Sequence, residues 1–240
     1  MLRSLAFMLI LLLPGASAAE TVSQEFDASG LDSLSVINTS GDINISVSTG
    51  GKALISARKI KFPVGCSLIM ERSGGDLYVE TSDPLKLDTN CRVHFEIAVP
   101  AAISLGIKNG SGDVEVEDTN GSLEFKLGSG DLKTAATVTD LNGTSGSGDV
   151  KVSGLTGNVN LKLGSGDIWL EYLSPPGRGS IKIKNGSGAT TVIFPERSEI
   201  LTDLTTGSGE IYNEIGDTAG SPFKVTVRSG SGKLSIKKAR

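Results

Sequence analysis

The sequence predicts an all-β fold: one elongated β-solenoid, a flattened parallel β-helix or roll with about 18–23 residues in each coil. Four Gly-Ser-Gly-Asp strings recur at a fixed interval, Gly-Ser-Gly motifs continue beyond them, and apolar and polar residues alternate after most of these motifs. Such alternation is typical of a half-buried strand. These observations leave the handedness of the coil open, and we favour a right-handed one.

The chain begins with a segment typical of a secretory signal peptide. Arg3 supplies a positive charge, residues 5–13 form an apolar run, and small residues follow at positions 16–18. The run is shorter than a membrane span and ends at Pro14. We therefore predict cleavage after Ala18, rather than a membrane anchor.

The mature chain, residues 19–240, is predicted to be one β-solenoid domain, since no linker rich in Pro or Ser divides it. The full chain has a net charge of −4, and removal of Arg3 leaves 23 − 1 = 22 basic residues against 27 acidic ones, a net charge of −5. An acidic protein without a concentrated basic surface is not expected to bind nucleic acid. No second apolar span follows the leader, so no membrane span is expected after cleavage.

The most regular region is the segment 110–172, which divides into seven nonamers without gaps. Its Gly-Ser-Gly-Asp strings repeat once in every two nonamers, at Gly112, Gly130, Gly148 and Gly166. The turn half of each nonamer has mostly Gly at its third place and then Asp, Ser or Asn at its fourth. The fifth place of the strand half is always apolar: Val114, Leu123, Leu132, Leu141, Val150, Val159 and Ile168.

One strand and one turn cannot bury an apolar face alone, but two facing nonamers can do so if each coil stacks on the next. Adjacent coils would then pair as strands about 4.8 Å apart. The alternative is a sandwich of antiparallel hairpins, and the constant period favours the solenoid. Less regular coils are predicted upstream, around Gly41 and Gly75, and downstream with longer loops, at Gly188, Gly209 and Gly232.

A stack in register with two nonamers in each coil makes a specific prediction for the core. Gly143 stands where other nonamers have a large apolar residue, and Phe125 occupies the same place one coil earlier. The facing nonamer also has small residues, Thr134 and Ala136, at its inward places. We therefore expect Phe125 to be buried and to cover Gly143.

The repeated Asp residues could be a calcium site or part of the turns. The string is no phosphate loop, because strands follow it rather than a helix and it has no Lys. The calcium nonamer of β-rolls places its Asp two residues beyond the second Gly, whereas Asp follows Gly directly here. We expect turn-stabilising carboxylates, no metal and no cofactor: Asp113, Asp131, Asp149 and Asp167, with Ser122, Asp140 and Asn158 on the opposite edge.

Cys66 and Cys91 are the only cysteines, and an even count in an exported chain predicts one disulfide. His94 is the single histidine and lies three residues beyond Cys91. A bridged cysteine cannot supply a thiolate, so a Cys–His nucleophile is not expected. Paired carboxylates could act on glycosides, but no spacing singles out a pair, and Glu115 and Glu117 are interpreted as a solvated face. No catalytic residue is assigned.

Trp169 interrupts the outward polar places of the strands. Its column in the repeat consists of Glu115, Lys133, Lys151 and Trp169, and Tyr172 lies at the strand end. Trp169, Lys151, Lys133 and Tyr172 form a candidate binding patch for a sugar or a peptide. The alternative is a single exposed tryptophan that packs on Lys151 and needs no ligand.

The stretch "FEIAVPAAISLGIKNGSGDVEVEDTNGSLEFKLGSGDL", with Val99-Pro100 before the first Gly-Ser-Gly-Asp, resembles a family of bacterial β-strand-repeat proteins of unknown function that carry an adhesin label. The opening "LDSLSVINTSGDINISV" and the ending "SGSGKLSIKK" share the resemblance, which covers essentially the whole mature chain. The resemblance implies a β-solenoid, export from the cytoplasm and an adhesin-like role.

The sequence favours an exported, non-enzymatic, adhesin-like or envelope-scaffold protein, located in the periplasm, on the cell surface or outside the cell. Its partner would be an unidentified glycan or protein of the envelope or the cell exterior. Two alternatives stay open, a carbohydrate-active enzyme on the same architecture and a calcium-stabilised β-roll.

Overall fold

The computed structural model describes residues 19–84 and 90–239, so the predicted leader 1–18 lies outside the described residues. No helix long and apolar enough to cross a membrane occurs in the described part. All regular structure there is β: β1 (Glu20–Asp27), β2 (Ser33–Asn38), β3 (Ile43–Val47), β4 (Lys52–Lys61), β5 (Ser67–Ser73), β6 (Asp76–Ser82), β7 (Arg92–Val99), β8 (Ser104–Ser111), β9 (Val114–Ser129), β10 (Leu132–Ser147), β11 (Val150–Ser165), β12 (Ile168–Tyr172), β13 (Gly179–Ser187), β14 (Thr190–Phe194), β15 (Leu201–Ser208), β16 (Ile211–Asn213), β17 (Phe223–Ser231) and β18 (Leu234–Lys238).

The strands form a flattened stack with two broad faces, which confirms the predicted β-solenoid. The lysine face, named for its exposed Lys108, Lys126 and Lys162, follows the order β5, β6, β2, β8, the second halves of β9, β10 and β11, then β13, β17 and β15. The tryptophan face, which carries Trp169, follows the order β1, β4, β7, β3, the first halves of β9, β10 and β11, then β12, β14, β18 and β16.

Adjacent coils in the regular region pair in parallel with the predicted offset of two nonamers. Leu132 pairs with Val114 on one side and with Val150 on the other. On the lysine face, Gly143 pairs in the same way with Phe125 and Leu161. The hairpin sandwich is therefore wrong for this region.

The Gly-Ser-Gly motif exists because the turns stack directly on one another. Gly148 has a φ of +117°, and a Cβ added to it would lie 2.1 Å from the carbonyl oxygen of Gly130. No side chain fits there, and the left-handed φ also favours glycine. The glycines of this column have φ between 107° and 138° and are, in stack order, Gly41, Gly112, Gly130, Gly148, Gly166, Gly188, Gly232 and Gly209.

The order of coils in space departs from the order in sequence at both ends. The coil of β17 and β18 inserts between β13/β14 and β15/β16, so Gly232 stacks on Gly188 and Gly209 lies outermost. At the other end, the coil of β2 and β3 lies between β6/β7 and β8/β9. The predicted coil around Gly75 is confirmed for its strand, since β6 pairs in parallel with β2, but Gly75 itself belongs to the tight turn of the antiparallel hairpin β5–β6.

Antiparallel strands and one disulfide distinguish the N-terminal end of the stack. Strands β1, β4 and β7 pair antiparallel on the tryptophan face, and β5 pairs antiparallel with β6 on the lysine face. Cys66 precedes β5 and Cys91 precedes β7, and their sulfurs are bonded with the Cα atoms 5.8 Å apart. The predicted disulfide is confirmed, and it joins the ends of the two faces.

The core fills the space between the faces with alternating inward side chains. Phe125 is only 2% exposed, and the position of a Cβ on Gly143 would fall 2.1 Å from its ring. The ring therefore occupies the volume that glycine leaves empty, as predicted. Thr134 and Ala136 are buried on the other wall.

Candidate functional site

Trp169 and two lysines lie together on the tryptophan face, as the repeat predicts. Lys133 pairs in register with Glu115 and Lys151, and Lys151 pairs with Trp169. The Lys151 Nζ lies 5.1 Å from the centroid of the Trp169 ring, within the range of a cation–π contact. Thr191, a short side chain, occupies the next coil beside Trp169.

Acidic residues border this tryptophan on its turn side. A shallow groove of about 330 Å³ is lined by Trp169, Lys133, Lys151 and the exposed Asp131, Asp149 and Asp167. Lys133 forms a salt bridge with Glu115, and this hydrogen bond raises the pKa of the lysine. The groove thus combines an aromatic surface with carboxylate acceptors and ammonium donors, which are the groups that bind sugar hydroxyls.

Tyr172 does not extend this patch, which corrects its predicted place on the surface. Its side chain is 2% exposed and stacks on Phe194 with ring centroids 4.8 Å apart. The phenol donates a hydrogen bond of 2.7 Å to the carbonyl of Gly157. Burial, with a smaller contribution from the charge of Asp140, raises the pKa of this phenol. Tyr172 therefore closes the core at the point where the "SPPGRG" loop (residues 174–179) begins.

The repeated Asp residues form a ladder along the edge of the stack. The carboxylate of Asp131 accepts the backbone N–H of Asp149 at 2.8 Å, and Asp149 accepts the N–H of Asp167 at 2.8 Å. Each carboxylate thus binds the turn of the next coil rather than its own turn. The same contact continues at both ends of the ladder, from Asp42 to Asp113, Asp113 to Asp131 and Asp167 to Ala189.

The opposite edge carries a shorter version of this ladder. Asp140 accepts the N–H and the amide of Asn158, and Asn158 accepts the N–H of Ser180 at 2.9 Å. Within residues 19–84 and 90–239, no group of three or more His, Cys, Asp and Glu side chains could hold a metal ion. The structure thus shows protein contacts for these carboxylates.

His94 lies on β7, half-buried on the tryptophan face. Its Nδ1 is 2.9 Å from a carboxylate oxygen of Asp42. Strands β3 and β9 separate it from Lys133, the nearest member of the Trp169 groove along the stack. Cys91 is bonded to Cys66, so these residues do not form a Cys–His pair.

Sequence reasoning missed a basic column on the lysine face. Its members stand two residues before the first glycine of five Gly-Ser-Gly motifs: Lys108, Lys126, Lys162, Lys184 and Arg228. Thr144 and Thr205 take that place in two others. The same spacing could have found them, because every residue at that place points outward from the same face.

Residues 25–239 match the family described as Toastrack DUF4097. The chain belongs to this family. No curated protein matches the Toastrack chain.

Several crystal structures match the chain at low sequence identity. A "putative adhesin" from Bacteroides fragilis is 16% identical with a TM-score of 0.58, and the alignment covers 92% of this chain and 97% of that one. A "putative cell adhesion protein" from Clostridium sporogenes is 18% identical with a TM-score of 0.43, covering 92% and 100%. A "putative lipid binding protein" from Parabacteroides distasonis is 15% identical with a TM-score of 0.44, covering 92% and 97%.

Proposed function

We propose that this Toastrack protein is an exported, non-enzymatic, adhesin-like protein that binds a neutral glycan of the envelope or cell exterior at Trp169. One observation carries the proposal: Trp169 lies on a flat β face beside Lys151 and above a row of carboxylates. The leader-like residues 1–18 support export. The adhesin name of the Bacteroides fragilis structure supports the same class of function.

The groove's chemistry favours an uncharged sugar over an acidic one. A pyranose ring can pack its C–H groups against the indole, and its hydroxyls can donate to Asp149 and Asp167. An acidic sugar would meet those carboxylates at close range. Lys133 does not offset them fully, because its ammonium is paired with Glu115.

A glycan array probed with purified residues 19–240 tests the proposal, followed by titration of the best neutral ligand. We expect Trp169→Ala to weaken binding by at least about tenfold, the loss typical of a central aromatic contact. Tyr212→Ala is the matched control, since Tyr212 is exposed on the same face at the end of the stack. Thermal melting of both variants checks that they are folded.

Three results would contradict the proposal. The first is an array without any bound neutral glycan, and the second is equal binding by wild type and Trp169→Ala. The third is cleavage of a bound glycan, which would make the protein a carbohydrate-active enzyme.

A further inference from the structure

The basic column of the lysine face runs nearly the length of the regular stack. Lys108 pairs in register with Lys126, Thr144 lies between Lys126 and Lys162, and Lys184 lies between Lys162 and Arg228. Coils repeat about every 4.8 Å, so this column extends over about 24 Å. Its basic side chains are all exposed.

Most of these charges are not paired within the described part of the chain. Arg228 contacts Asp203 at 3.0 Å, but Lys108, Lys126, Lys162 and Lys184 form no ion pair with a described carboxylate. Like charges on neighbouring strands disfavour the folded state. An anionic ligand with charges at the same spacing would remove that repulsion.

A groove follows the column. It has a volume of about 720 Å³, and the short Thr144 stands in it between the longer Lys126 and Lys162. Asn142 and Asn160 are paired neutral amides two residues along the strands from the lysines, and their column continues to Glu124 on one side and Lys182 on the other. Amides can donate to and accept from hydroxyl groups. The groove thus offers ammonium groups along one side and hydroxyl partners along the other.

We infer that the lysine face binds a linear acidic polysaccharide lying along the solenoid axis. Regularly spaced carboxylates, sulfates or phosphates of the polymer would meet the lysines, and its hydroxyls would meet Asn142 and Asn160. This site is separate from the proposed neutral-glycan site on the tryptophan face. Glu124, which lines the groove in register with Asn142, and Asp203 beside Arg228 are the acidic groups nearest to it.

Two other polyanions fit this groove less well. Single-stranded nucleic acid is bound through aromatic side chains that stack on bases, and the aromatic residue lining the groove, Phe125, is buried. An anionic membrane surface is bound with apolar side chains inserted beside the charges. The exposed side chains of this groove are charged or polar instead.

Polygalacturonate tests the inference, with its methyl ester as a neutral polymer of the same backbone. We expect residues 19–240 to bind polygalacturonate at least about tenfold more tightly than the ester, with an affinity that falls as salt rises. The double variant Lys126→Glu/Lys162→Glu should lose at least about tenfold in affinity. Lys126→Gln/Lys162→Gln should lose less, because it removes two charges without adding two acids.

Lys61→Glu/Lys237→Glu is the matched control, since it changes the net charge equally at exposed sites away from the groove. It should bind like the wild type, and Trp169→Ala should also bind polygalacturonate normally. This last comparison separates failure of this inference from failure of the neutral-glycan proposal.

The inference is overturned if the ester binds as tightly as the acid, or if the two double Glu variants lose affinity equally. Tighter binding of oligothymidylate or phosphatidylglycerol vesicles than of polygalacturonate would overturn the polysaccharide assignment.

Discussion

The two faces of the solenoid share one backbone and differ in their outward side chains. On the tryptophan face, neighbouring groups satisfy each other: Lys133 pairs with Glu115, and Lys151 lies over Trp169. On the lysine face, Lys126 and Lys162 flank a groove and form no ion pair with a described carboxylate. The outward side chains of the two faces can therefore bind two chemically different ligands on one scaffold.

The inward columns of both faces are buried and mostly apolar, with buried Asn, Ser and Thr at some places, such as Asn109, Thr134 and Asn185. Replacements there should change stability, whereas replacements in the outward columns should change binding. The first predictions below test that division, beginning with the largest expected effect.

Phe125→Ala should lower the free energy of unfolding by about 3–5 kcal/mol, because it opens a cavity where Gly143 cannot supply any side-chain volume. Urea denaturation measures it. Lys126→Ala, one residue further on the same strand but pointing outward, should change stability by no more than about 0.5 kcal/mol. Equal losses for the two variants would contradict the division between inward and outward columns.

Cys66→Ser/Cys91→Ser should lower the free energy of unfolding by about 3 kcal/mol, because the bridge closes a loop with a sequence separation of 25 residues and joins the two faces at one end. Denaturation of wild type with and without reductant provides the control. Mass spectrometry after alkylation of the non-reduced protein would refute the bridge if it found two labelled thiols.

Gly148→Ala should lower the free energy of unfolding by about 1–3 kcal/mol, because alanine is strained at the positive φ of this position. The added methyl group would also collide with the carbonyl of Gly130 in the neighbouring turn. Gly177→Ala is the matched control, because no atom lies within 4 Å of its added Cβ and its φ is not positive. A thermal shift of the same size in both variants would contradict the stacked-turn explanation of the motif.

Chelation should have the smallest effect on thermal stability. The carboxylates of Asp131 and Asp149 accept N–H groups of the next coil, so EDTA should leave the melting midpoint unchanged. A midpoint that falls with EDTA and recovers with added calcium would show that the Asp ladder binds metal.

The sequence predicted the middle of the molecule well because its period is constant. With an invariant offset of two nonamers, the contact of Phe125 with Gly143 and the column from Glu115 to Trp169 followed from arithmetic alone. The alternation along β12 also gives Tyr172 an inward place, after Ile168 and Leu170, but its ring partners Phe194 and Phe223 come from later coils that the repeat does not number.

The order of coils at the ends could not be read from spacing. Each end coil has the same Gly-Ser-Gly turn, so Gly188 can stack on Gly209 or on Gly232 without a change of local pattern. Packing decides between them: the inward residues of β17 are buried, whereas β15 is half-exposed, as suits the outermost coil. The motif around Gly75 misled in a similar way, since a hairpin turn also favours paired glycines.

Amine-reactive footprinting tests most directly the claim that the two faces have different ligand chemistries. Purified residues 19–240 would be labelled with and without polygalacturonate, and each lysine quantified by mass spectrometry. The account predicts protection of Lys126, Lys162 and Lys184, with Lys133 and Lys151 labelled as in the unbound protein. Equal protection on both faces, or protection confined to Lys133 and Lys151, would contradict it.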